Sequence, residues 1–237
     1  GSISWSPDGR SIYATADNLG QSSIFRIGID GANPETIIEK GTNSFAGSSD
    51  GRLYFVRDTL DAPADLFSSS LDGSDLQRLT SVNSGHLEQV EMGGFEQFSF
   101  PGWNDETVWC YVVKPVDFDE TRKYPVAFLI HGGPQGSFGN HFHYRWNPQV
   151  YAGAGYAAVM VDFHGSTGYG QEFTDSITGD WGGKPLVDLR KGLAAALDRY
   201  PGMDVETVGA LGASYGGFII NCLAGNWADR FHCLVNH

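Results

Sequence analysis

A chain of 237 residues with 41% hydrophobic and 13% aromatic side chains can bury a sizeable core, as one large domain or two small ones. Its 15 Lys and Arg face 28 Asp and Glu, a net charge of −13 that repels phosphate and excludes nucleic acid as a partner. The longest apolar run, YPVAFLI, falls far short of the ~18 residues a membrane span needs, so no membrane partner is implied.

The opening GSISWSPDGR carries no secretory signal, and with no methionine before Met92 the chain reads as one entered midway. A repeat then fills the stretch from Ser6 to about Ser81. SPDGRSIY at 6–13 returns as SSDGRLYF at 48–55, and IFRIGIDG at 24–31 returns as LFSSSLDG at 66–73. The interval from Asp8 to Asp50 is the same as that from Asp30 to Asp72. That period suits a propeller blade of four short strands with Asp-Gly at its hairpin turns. Two blades cannot close a propeller, so others are expected upstream. Residues 1–85 are therefore read as C-terminal blades of a β-propeller.

SVNSGHLEQVEMGG reads as a linker, and FEQFSF and ETVWCYVVKP as paired strands. From Tyr124 the pattern becomes strand–loop–helix. YPVAFLI and YAAVMVDF are continuous apolar strands, and the stretch 185–200 places Leu186, Leu189, Leu193 and Leu197 on one helical face. VETVGAL is a further strand, followed by a helix over 216–224 and the strand FHCLVNH. Short apolar strands alternating with helices predict a parallel, doubly wound sheet over 86–237.

GASYG at 212–216 places Ser214 in the pattern G-x-S-x-G. With 32 glycines the bare pattern is expected by chance, and GSSDG at 47–51 is a second copy. Context separates them. Ser49 sits at a hairpin turn of the repeat, whereas Ser214 follows a strand and opens a helix, as a nucleophile requires if its hydroxyl is to be lifted clear of the sheet. Acyl transfer also needs donors for the developing oxyanion. The N–H of Tyr215, at the start of that helix, is one candidate, and the glycine loop LIHGGPQG supplies the other. GAGYAA at 153–158 mimics a dinucleotide fingerprint but precedes a strand, so no nicotinamide or flavin cofactor is expected. His141 and His143 lack a third ligand at any metal spacing, so no metal is expected. Cys110, Cys222 and Cys233 match neither a zinc pattern nor a disulfide framework, and buried thiols are a simpler reading than a Cys222–Cys233 bridge.

HGGP at 131–134, DFHGSTGYGQEF at 162–173, GDWGGKPLVDLRKG at 179–192 and GASYGGF at 212–218 together resemble the prolyl oligopeptidase family of serine peptidases. Within it the chain is most similar to the acylaminoacyl-peptidase branch, and in His164 and WGGKP to the fungal dipeptidyl-peptidase V type. The resemblance implies an α/β-hydrolase domain preceded by a β-propeller, with 86–237 its incomplete N-terminal part. It also implies Ser214 as nucleophile, oxyanion amides from Gly133 and Tyr215, no cofactor or metal, and peptide substrates cleaved to dipeptides or short N-terminal units. Secretion is implied as well, although the chain has no N-x-S/T sequon; a cytoplasmic location is the alternative. No feature addresses the oligomeric state. In α/β-hydrolases the acid and then the histidine follow the serine. One helix and the strand FHCLVNH are all that follow Ser214, so both partners are expected beyond His237, with His131, His164, His232 and His237 poor substitutes. The competing readings are a non-catalytic peptide-binding fragment and a general esterase, the latter disfavoured by the repeat.

Overall fold

A computed structural model describes residues 3–31 and 33–237. They form two compact units: one contains the described residues up to Val90 together with Gly139–Tyr144, the other Glu91–Phe138 and Arg145–His237.

In the first unit, β1 (Ile3–Trp5), β2 (Ser11–Asn18), β3 (Gln21–Gly28) and β4 (Glu35–Ile38) pair antiparallel in succession. So do β5 (Thr42–Ser49), β6 (Arg52–Thr59), β7 (Ala62–Ser70) and β8 (Gln77–Arg78). The two four-stranded meanders meet through one parallel bridge, Ser22 to Thr42. The repeated Asp-Gly pairs lie at hairpin turns, with φ of +69° at Gly9 and +75° at Gly51, a conformation open to glycine without strain. Tyr13, Ile24, Phe45, Leu53 and Phe55 close the core of this unit.

Residues 139–144 were expected to stay with the later domain, yet they pack with the first unit. Asn140 explains the excursion. Its backbone N–H donates to the Gly20 carbonyl (2.7 Å), its side-chain oxygen accepts from Leu60 N–H (2.9 Å) and its amide donates to Gln21 Oε1 (3.0 Å). His141 Nδ1 pairs with Asp58 at 2.7 Å, so this histidine is committed to a carboxylate. The linker contains one short turn of helix, α1 (Ser84–Leu87).

The second unit is a six-stranded mixed sheet. Its strands are β9 (Phe95–Pro101), β10 (Thr107–Val113), β11 (Tyr124–Ile130), β12 (Ala157–Asp162), β13 (Met203–Gly212) and β14 (Cys233–Asn236), in the order β14-β13-β11-β12-β10-β9. The four central and late strands run parallel, as expected, while β10 joins β12 antiparallel and carries β9. Helices α2 (Pro148–Gly153), α3 (Gln171–Asp175), α4 (Lys184–Arg199) and α5 (Tyr215–Asn226) fill the connections.

Strand alternation explains the continuous apolar runs. Cys110, Val112, Val126, Phe128, Ile130, Val159 and Val161 share a core with Leu189 and Leu193 of α4 and Ile219 of α5. The intervening Tyr111, Val113, Ala127, Leu129, Ala158 and Met160 are equally buried, so both faces are covered. Leu186 and Leu197 pack at the margin of the first core, completing the expected helix face. The expectation of buried thiols holds for Cys110 alone: Cys222 is half-buried and Cys233 exposed, and all three are free.

Gly192 sits mid-helix where α4 crosses the sheet. A methyl there would lie 2.5 Å from Val161 Cγ2 and 2.8 Å from Phe100 Cζ. Gly192→Ala gains about 1 kcal/mol of helix propensity but overpacks a dense core at a cost of about 1–3 kcal/mol. The packing effect is expected to dominate, lowering the urea midpoint of unfolding, whereas an exposed helical Gly→Ala change raises it.

Candidate active site

The β13–α5 turn positions Ser214. Its backbone adopts φ 57°, ψ −117°, outside the ordinary regions for a side-chain-bearing residue, and the residue is exposed. The neighbouring glycines are what make this turn possible. A Cβ at Gly212 would fall 2.4 Å from Gly216 O, and one at Gly216 would fall 2.3 Å from Ile130 O. Both obstacles are backbone atoms, which no rotamer change relieves. Among the described residues the Ser214 hydroxyl makes no hydrogen bond, while its N–H donates to the His237 carbonyl at 2.9 Å.

The glycine loop after β11 abuts this elbow. A Cβ on Gly132 would lie 3.1 Å from Ala213 O and 3.5 Å from Ser214 Cβ. Gly133, one residue on, is exposed with φ +128°. Tyr215 occupies the first position of α5, where N–H groups lack intrahelical acceptors. Its ring is buried between Phe163 (centroids 5.7 Å apart) and Trp181 (5.7 Å), and its hydroxyl donates to the Trp181 carbonyl at 2.5 Å. The structure thus gathers Ser214, the Gly132–Gly133 turn and the first turn of α5 at one end of the sheet. His131 and His164 point elsewhere, and His141 and His143 belong to the first unit.

His131 lies flat on Phe163 (4.2 Å, 9°), with Nε2 2.9 Å from Ser166 Oγ and Nδ1 2.8 Å from the Gly132 carbonyl. Burial holds its pKa below the ordinary histidine value, so it is neutral, with Nδ1–H donating to that carbonyl.

His164 is fully buried in a different setting. Nδ1 lies 2.6 Å from Asp188 Oδ2 and Nε2 3.1 Å from Glu106 Oε2, and Phe173 stacks on the ring at 4.2 Å. Asp188 also accepts the backbone N–H of His164 (2.7 Å) and of Trp103 (2.7 Å). Burial disfavours the imidazolium, but Asp188 and then Glu106 outweigh it and raise the His164 pKa. Sequence reading recognised DFHGSTGYGQEF as family wording without assigning a role to its polar residues. The signal available was a pair of ionisable residues, Asp162 and His164, at the exit of an otherwise apolar strand.

Residues 142–237 match the prolyl oligopeptidase family. The whole chain is similar to dipeptidyl-peptidase 5 of Schizosaccharomyces pombe (37% identity, 95% of this chain and 33% of that protein) and of Arthroderma otae (38%, 100% and 33%). In structure it is similar to the Pyrococcus horikoshii acylaminoacyl peptidase (TM-score 0.82, 27% identity, 95% of this chain and 35% of the other). It is similar, too, to an acylaminoacyl peptidase in complex with Z-Gly-Gly-Phe-chloromethyl ketone (TM-score 0.83, 25% identity, 99% and 36%). The second unit has the architecture of an α/β-hydrolase domain. Residues 142–237 belong to the prolyl oligopeptidase family of peptidases. The chain spans about a third of the length of the curated relatives it matches. No helix among the described residues is long and apolar enough to cross a membrane.

The raised His164 pKa has a pH signature. A group favoured in its charged form stabilises the fold fully below its unfolded pKa of about 6.5. That contribution is lost as pH rises through the higher folded value. Urea midpoints are expected to decline as pH rises above about 6.5, and that part of the decline should disappear in His164→Gln.

Proposed function

We propose that this chain carries the nucleophile and oxyanion site of a serine peptidase releasing dipeptides or short N-terminal units through an acyl-enzyme. The observation that carries the reading is the exposed Ser214, held at φ 57° between a parallel strand and a helix, with a glycine loop against it. In this reading the Ser214 hydroxyl attacks the scissile carbonyl. The amides of Gly133 and Tyr215 receive the negative charge that develops on the carbonyl oxygen, aided by the positive end of α5. The names of the relatives support peptides as substrates, and the paired meanders of the first unit are read as two blades of a propeller. In this reading the acid and base that activate Ser214 lie outside this chain: His131 and His164 are bonded elsewhere, and His237, whose carbonyl accepts the Ser214 N–H, sets its ring edge-on to Trp146.

Without a general base a serine hydroxyl stays protonated and reacts slowly. The chain alone is expected to hydrolyse a chromogenic dipeptide amide no faster than its Ser214→Ala variant. In the full-length protein the same substitution should lower kcat by roughly 10⁴–10⁶-fold. Full activity of Ser214→Ala in that protein would favour the non-catalytic, peptide-binding reading, and brisk Ser214-dependent turnover by the isolated chain would place the partners inside it.

A further inference from the structure

We propose that Asp162 is a positioning residue that fixes the glycine loop from its far end and so sets where the Gly133 amide points. The proposal rests on the peptidase reading above and adds a residue to it.

Asp162 ends β12 and is only 1% exposed. Its carboxyl group accepts three hydrogen bonds: from Ser137 Oγ at 2.6 Å, from Phe138 N–H at 3.1 Å and from the Tyr169 hydroxyl at 2.5 Å. Burial, and next the adjacent Asp162, hold the Tyr169 phenol well above its ordinary pKa, so it remains a donor. Two of the three donors, Ser137 at the C-terminal end of the glycine loop and Phe138 just after it, hold that end. The loop's N-terminal end is fixed separately, by His131 stacked on Phe163 and bonded to Ser166. Between these ends, Thr167 N–H donates to the Gly136 carbonyl at 3.0 Å. Every anchor comes from the segment 162–169.

The loop itself is HGGPQGS, and glycines lose more conformational freedom on ordering than any other residue. Such a stretch cannot hold one conformation unaided, so its geometry is inherited from what it is tied to. A buried carboxyl is costly unless its hydrogen bonds are made, and an apolar residue at the end of β12 would fill the same space without that cost. What an apolar residue cannot do is gather Ser137, Phe138 and Tyr169 onto one point. Misplacement of a catalytic group by about 1 Å costs about 10²-fold in rate, so the register of this loop is where such a constraint has value.

The test uses the full-length protein and compares Asp162→Asn with Ser137→Ala and Tyr169→Phe. Each is assayed for kcat and KM on a dipeptide anilide and for inhibition by a peptide aldehyde, whose adduct with serine carries an oxyanion. Binding of the product dipeptide, which has no such oxyanion, serves as the comparison. Asp162→Asn should lower kcat by about 10–100-fold and weaken the aldehyde by a similar factor. KM and product affinity should stay within about threefold. Ser137→Ala and Tyr169→Phe should show the same pattern at smaller size, and neither should add fully to Asp162→Asn. Unchanged kcat and aldehyde affinity in Asp162→Asn would overturn the proposal, as would equal losses of aldehyde and product binding. If Asp162→Asn does not fold, unchanged aldehyde affinity in both Ser137→Ala and Tyr169→Phe overturns it. An active Ser214→Ala defeats the peptidase reading itself, whereas an inactive Ser214→Ala beside a normal Asp162→Asn defeats only this inference.

Discussion

The site depends on backbone packing against backbone where α5 begins. In the parallel pairing of β11 with β13, Ile130 lies opposite Gly212, so the two strands end level and release their loops at the same edge of the sheet. Gly216 then lets the first turn of α5 settle against the Ile130 carbonyl, and Gly212 lets the chain turn beneath it. The exposed serine and the adjacent glycine loop both follow from that register. A residue with a side chain at either glycine would have to move the strand end or the helix, because no flexible atom is in the way.

The polar groups buried behind this turn share one topological location. Asp162 closes β12, His164 follows shortly after it, and Asp188 lies on α4, which returns across the same strand. The segment between Asp162 and Tyr169 is therefore gripped from two sides. His164, between Asp188 and Glu106, ties it to the helix layer and to the loop before β10; Asp162 and Ser166 tie it to the glycine loop. Buried charged groups add little net stability when compared with apolar packing. What they provide here is a defined position for a segment that includes Gly165 and Gly168, both in the left-handed region.

Features written in local sequence were legible. YPVAFLI corresponds to β11 residue for residue, and the leucines spaced along α4 face the core as their periodicity requires. The interval shared by the two pairs of repeated aspartates marked two equivalent meanders, and the strand–serine–helix context expected at Ser214 is present there, whereas Ser49 ends β5 at a hairpin. Features created by long-range contact were not legible. Nothing in ETVWCYVVKP states that β10 pairs antiparallel with β12 rather than standing apart with β9. Several partners of Asp162 and His164 are far away along the chain, so their types were visible but their meeting was not. The excursion of 139–144 was hidden for the same reason, since it rests on Asn140 bonding to Gly20, Gln21 and Leu60 and on His141 and Phe142 N–H meeting Asp58, all far away along the chain.

The seam inside the first unit has an evolutionary consequence. Its two meanders share one parallel bridge, reinforced by Ser22 N–H donating to the Gly41 carbonyl (3.0 Å) and the Asn43 amide donating to the Ser22 carbonyl (2.7 Å). Each meander builds its own ladder, while the apolar layer is shared: Tyr13 and Ile24 of one pack with Phe45, Leu53 and Phe55 of the other, and the Tyr13 hydroxyl donates to the Leu71 carbonyl (3.2 Å). A tile built this way is an exchangeable genetic unit. Duplication or loss of one tile leaves the ladders within the others intact, and what has to be made again is the joint and the apolar layer between neighbours. Variation in tile number is therefore open to such a lineage, whereas the sheet carrying Ser214, in which β12 stands between β11 and β10, contains no repeated unit of this kind.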